Sequence, residues 1–184
     1  MRADAADKGI TLVKNTLDQL PLDPVTHRRI RLYYLSGEVG GIYEAGTKTL
    51  DTFVAELTRR GFEVTVNEGN SRIKGATLKY RDEVDAAIIV ADVVGYGAEN
   101  NYRIRWKTAM SNECPWYVWE VPTFMVSLNF TAHLHDATMV KCLVNAYHNN
   151  EENIRAALDK LMGVSEFKGS PNELVWTNKW QARL

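Results

Sequence analysis

Residues 121–163 read VPTFMVSLNFTAHLHDATMVKCLVNAYHNNEENIRAALDKLMG. Within them, 123–128 are almost wholly apolar or β-branched, with no alternation of polar and apolar positions. Such a run predicts a strand buried on both faces, as in a parallel sheet. Residues 139–147 repeat the pattern around Val140, Leu143 and Val144. Asn149 and Asn150 then offer an N-cap, and Glu152 stands three residues after Asn149, as in a capping box. Ile154, Ala157, Leu158 and Leu161 follow at helical spacing, and Gly163 ends the segment as a C′ residue. Strand, polar loop, strand and amphipathic helix make half of an open α/β sheet.

The remaining segments read as its other half. IRLYYL at 30–35 is a strand, followed by SGEVGG. Residues 47–60 place Leu50, Phe53, Val54 and Leu57 on one helical face, with Gly61 as the C-cap signal. Residues 62–66 alternate and predict a short strand nearer the sheet edge. A helical turn is expected within 79–84, and AAIIVADVV at 86–94 is the most hydrophobic strand. The loop from Gly95 is expected to become helical around Ile104 and Trp106, before the aromatic run CPWYVWEV at 114–121. Residues 1–24 form a lead-in helix or strand stopped by LPLDP. Residues 164–184 form a tail that docks through Phe167, Trp176 and Trp180. Together these predict one domain over 1–184: a three-layer α/β/α sandwich, flavodoxin-like, with a mostly parallel sheet of five to six strands. Ligands bind such sheets outside the carboxyl ends of the strands, which singles out loops 36–46, 95–105 and 129–138.

Composition bounds the function. The 184 residues, 45% hydrophobic and 24% charged, suit one globular domain with a full core. A net charge of −1 gives no reason to expect nucleic acid or an anionic membrane as partner. No window reaches the roughly 18 apolar residues of a membrane span. The start lacks the apolar core of a signal peptide, so a cytoplasmic location is expected. Cys114 and Cys142 are expected to be free thiols, Cys142 within a buried strand.

The Gly37–Gly41 loop, GEVGG, stands where a phosphate cradle would, but lacks the G-x-G-x-x-G spacing and suits a turn. His133, His135 and Asp136 lack a further ligand at metal-site spacing, so neither metal nor cofactor is expected. No G-x-S-x-G elbow is present. Glu99, Glu113 and Glu120 near loop ends read as solvated carboxylates.

Several longer stretches resemble a known family. ITLVKNTLDQLPL at 10–22 looks like the segment entering the C-terminal α/β sandwich of family 3 glycoside hydrolases. IRW at 104–106, PWYVWEVPTFMVSLNFTAHLHDATMVKCLVNAY at 115–147 and LDKLMGVSEFKG at 158–169 resemble its bacterial β-N-acetylhexosaminidase-like branch. Trp116, Val118, Glu120, Pro122, His133, Asp136, Met139, Lys141, Asn145, Tyr147 and Gly163 fall on that pattern. Phe130, Ala132, Ala137 and Thr138 depart from it within one loop.

The resemblance implies a non-catalytic domain packed on a (β/α)8 barrel, shaping its active site in glycoside hydrolysis. Its partners would be that barrel, carbohydrate substrate through it, and a second copy in a homodimer. The barrel nucleophile and the branch's His/Asp dyad motif are not in these residues, so the chain alone is expected to be inactive while its parent is an enzyme. By position, Glu99 matches the acid/base glutamate that β-glucosidase-related branches place here. The resemblance also points to Arg103, Arg105, Trp116, Trp119, Glu120, His133 and Asp136 as facing substrate or barrel. A flavodoxin-like domain binding a nucleotide or flavin, or a dimerisation module, stands as the alternative.

Overall fold

The computed structural model describes residues 2–36, 47–67, 77–93, 103–104, 106 and 115–176. Expectations on Glu99, Arg105, Cys114, Trp180 and the Gly37–Gly41 loop lie outside the described residues. The lead-in holds both a helix and a strand, α1 (Arg2–Gly9) and β1 (Thr11–Asn15). There follow β2 (Arg29–Ser36), α2 (Thr47–Arg59), β3 (Glu63–Val66), α3 (Thr77–Glu83) and β4 (Ala86–Asp92). After them come β5 (Thr123–Leu128), β6 (Cys142–Asn145) and α4 (Glu151–Leu161). The strands form one sheet in the order β1-β6-β5-β4-β2-β3. β2 to β6 are parallel and β1 joins β6 antiparallel. The order of the parallel strands is that of flavodoxin, with its switch point between β2 and β4.

Every residue of β4 and β5 is buried, because both faces of these strands are covered. On one face Ile30, Leu32, Ile88, Val90, Phe124 and Val126 pack under α1, α2 and α4 through Ala6, Phe53, Leu57, Ile154 and Leu158. Each of the Val, Leu, Ile and Phe side chains among them contributes about 1.5–3 kcal/mol by leaving water. On the opposite face Tyr33, Ile89, Met125 and Leu143 meet Tyr117, Val118, Leu134 and Val140. That second layer consists of the short α3, two 3-10 turns (Trp116–Trp119 and His133–His135) and irregular chain. The aromatic and β-branched WYVW run lies between Pro115 and Pro122, and such residues favour helix weakly.

Three expectations are corrected here. Ile104 and Trp106 are not helical: the Ile104 amide donates to Asp136 Oδ2 at 3.0 Å, and Trp106 Nε1 donates to the Asp136 carbonyl at 2.6 Å. The first bond takes a backbone donor that a helix would use, and the second anchors the indole to the same distant residue. The last strand is shorter than 139–147, running only over Cys142–Asn145. Residues ahead of it cross the sheet face instead, burying Ala137 and Val140, and the Lys14 ammonium holds the Thr138 carbonyl at 3.0 Å. Of the two candidate caps Asn150 is the one used, so Glu152 stands in the first turn and not in a capping box with Asn149. Asn150 accepts the Asn153 amide at 2.8 Å, and Gly61 and Gly163 adopt φ of +96° and +71°. Buried Lys160 of α4 donates to Asp7 of α1 at 2.9 Å and to the Glu166 carbonyl at 2.6 Å, tying lead-in and tail to one helix.

Candidate functional site

Asp92 ends β4 at the switch point and is 3% exposed. Tyr34 donates its phenol to Oδ2 at 2.6 Å, and Asn129 donates its amide to Oδ1 at 2.6 Å. The Asn149 amide lies 3.4 and 3.5 Å from the two oxygens. Side chains from β2, from the turn after β5 and from the turn before α4 thus converge on one carboxylate. Among the described residues, all three partners are neutral donors. Burial, and then the bond to Asp92, push the Tyr34 phenol well above its ordinary pKa.

Two residues at this edge adopt left-handed backbone, Asn129 at φ +63° and Tyr147 at +64°. Asn tolerates that region, but an aromatic residue there costs on the order of 1–2 kcal/mol. The Tyr147 hydroxyl is fixed 2.7 Å from Thr11 Oγ1 on β1.

A second polar cluster lies at the same edge on the opposite face. Ser127 donates its hydroxyl proton to the Phe130 carbonyl at 2.8 Å. Its bond of 2.7 Å to His133 Nδ1 therefore needs the ring as donor, which places the imidazole proton on Nδ1. His133 is fully buried. Asn145, opposite Ser127 in register, donates to the Thr131 carbonyl at 3.2 Å, while its buried Oδ1 accepts no bond. Beside them Arg103 pairs with Asp136, whose other oxygen receives the Ile104 amide. The hydrogen bond to Asp136 is what raises the Arg103 guanidinium pKa.

No family profile matches this chain, and no curated protein sequence matches it. Solved structures do. A β-glucoside phosphorylase, BglX, matches at TM-score 0.84 and 30% identity over 98% of this chain and 32% of its own. A structure of BglX bound to 2FGlc matches at TM-score 0.76 and 31% identity, over 92% and 30%. A family 3 β-N-acetylglucosaminidase from Paenibacillus sp. str. FPU-7 matches at TM-score 0.59 and 17% identity, over 92% and 31%. The chain carries the α/β sandwich of a family 3 glycoside hydrolase. It spans about a third of the length of the structures it matches.

Within this family 3 sandwich, Arg103, His133 and Asp136 gather at the carboxyl edge, with Trp106 against them. Trp119 and Glu120 lie elsewhere, just before the amino end of β5. Trp119 is 67% exposed, with the Lys141 ammonium 5.0 Å from its ring centroid. Glu120 pairs with Arg81 at 2.8 Å. Trp116 is half-buried against Tyr80, at 5.0 Å between ring centroids, and belongs to an aromatic stack in which Tyr33 lies on Tyr117 at 4.0 Å. Among the described residues no group of three or more His, Cys, Asp and Glu is placed to hold a metal. Sequence reasoning missed the Asp92 cluster. Its one signal was an acid inside AAIIVADVV, where a charge is unexpected.

Proposed function

We propose that this chain is the C-terminal sandwich domain of a two-domain family 3 enzyme acting on β-glucosides, packed on a (β/α)8 barrel. The observation that carries the reading is 30–31% identity to a β-glucoside phosphorylase over nearly the whole chain, against 17% for the β-N-acetylglucosaminidase. Cleavage of a glycosidic bond with retention needs a nucleophile and an acid about 5–5.5 Å apart on either side of it. In this reading the barrel supplies those groups. The sandwich turns its carboxyl edge toward them and shapes one wall, with Arg103 and Asp136 in that rim. The β-N-acetylhexosaminidase-like branch is the second reading, favoured by the Trp116-to-Tyr147 pattern.

The test is to express the parent reading frame and supply aryl β-glucoside or aryl N-acetyl-β-glucosaminide, each with and without inorganic phosphate. Phosphate-dependent release of a glucose phosphate from the glucoside is expected, with no turnover by this chain alone. Preference for the glucosaminide overturns the first reading in favour of the second. Turnover by the purified chain overturns the accessory role.

A further inference from the structure

We propose that Asn129 and Asn149 form a subsite for sugar hydroxyls at the carboxyl edge of the sheet, oriented by Asp92. A carboxylate accepts hydrogen bonds and cannot donate them, so both amides must turn their nitrogens toward Asp92. That fixes the opposite end of each side chain: the two carbonyl oxygens point away from the buried acid. Among the described residues none donates to Asn129 Oδ1 or Asn149 Oδ1, and neither atom is sealed from solvent, both residues being half-buried. Each amide keeps one acceptor and a second N–H. This donor–acceptor pair is what a sugar hydroxyl, itself donor and acceptor, satisfies.

The charge behind the amides selects the ligand class. Asp92 is buried with neutral partners, so its field disfavours a phosphate or carboxylate at the same spot. Its own oxygens are already taken up by three donors. The free N–H beside each carbonyl oxygen has nothing to give a cation, so a neutral polyhydroxylated ligand is the class that uses both groups.

The site is also stiff before anything binds. Asn129 is held in left-handed backbone and bonded at 2.6 Å, and Asn149 directly precedes the Asn150 cap of α4. Ligand binding then costs little side-chain ordering. This inference deepens the proposed function, and rests on that reading for the choice of a glucoside as first probe.

The side-chain amide signals of Asn129 and Asn149 can be followed by NMR on this chain. Methyl β-D-glucoside, methyl N-acetyl-β-D-glucosaminide and inorganic phosphate are titrated in separately. Both signals should move together with a glycoside and saturate in the millimolar range. Asn149→Ala should weaken the glycoside at least tenfold while leaving the thermal midpoint nearly unchanged. Asn129→Gly, which keeps the left-handed backbone available, should weaken binding likewise, at a lowered thermal midpoint because Asp92 loses a 2.6 Å donor. Asp92→Asn, which keeps the size but adds a competing donor, should scatter both amide signals and lose binding.

Absence of movement with either glycoside overturns the site, whatever the parent enzyme turns over. So does binding that survives both asparagine variants, or phosphate moving the same signals. Movement with the glucosaminide alone upholds the site and counts against the glucoside reading.

Discussion

On one face of the sheet Phe53, Leu57, Ile154, Leu158 and Leu161 descend from helices at regular spacing. On the other, Tyr117, Val118, Leu134 and Val140 arrive from 3-10 turns and extended chain, around a stack of aromatic rings. Both faces exclude water, but by different means. The helices satisfy their own backbone groups, so only their side chains must fit. The irregular layer has only single turns of such bonds, and part of its backbone is met by distant side chains: Ile104 by Asp136, Thr138 by Lys14 and Thr131 by Asn145. The difference teaches where tolerance to change should lie. The helical face can absorb a trimmed side chain locally, whereas the aromatic face couples each ring to a bond elsewhere.

The largest effect that probes this difference is chemical protection of Cys142 under the helices. Burial pushes its thiol up to about 12. Labelling of native protein should be slower than of the unfolded chain by on the order of 10³-fold or more, following global opening. Fast labelling would mean that the helical face opens by itself. Next comes Tyr117→Ala, expected to cost about 3–5 kcal/mol in denaturant titration, more than Leu57→Ala across the sheet. The reverse order would break the comparison.

Glu56 sharpens the helical side. It is 5% exposed on α2 and receives Arg59, Arg60 and Arg155. Burial raises its pKa, but the three guanidinium groups overcome this and hold it at about 2, below its ordinary 4.5. A carboxylate lowered on folding stabilises above its unfolded pKa and loses that contribution as pH falls through the folded one. Thermal midpoints should therefore drop between pH 4.5 and 2 by an amount worth on the order of 3 kcal/mol. Glu56→Gln should flatten that limb. Asp136→Ala leaves the Ile104 amide without its acceptor, and about 1–2 kcal/mol should be lost. Trp119→Ser, at a ring 67% exposed, should move stability by less than about 0.5 kcal/mol. A larger loss would extend the aromatic layer to its rim.

Much of the helical half was legible because period reports burial directly. The runs at 86–94 and 123–128 admit no polar face, and the spacing of Leu50, Phe53, Val54 and Leu57 draws one stripe. The irregular layer was not legible, since its conformation depends on partners far along the chain. Asp136 acts on Ile104 across 32 residues. The Asp92 cluster was hidden for the same reason, with Tyr34, Asn129 and Asn149 lying 58, 37 and 57 residues away. Each reads locally as an ordinary strand or turn residue. The family resemblance drew attention to His133 and Asp136 instead, on the opposite face of the same edge.

Strand β1 has a consequence for the timing of assembly. It pairs with β6, whose four residues are all buried and which would otherwise end the sheet as an exposed apolar template for other chains. β1 carries an irregularity between Leu12 and Lys14 and a buried lysine, both of which discourage pairing beyond the single bridge from Thr11 to Gly169. Because β1 precedes β6 by more than a hundred residues, a ribosome delivers the guard before the strand it guards. The vulnerable edge is met by its partner as soon as it is made.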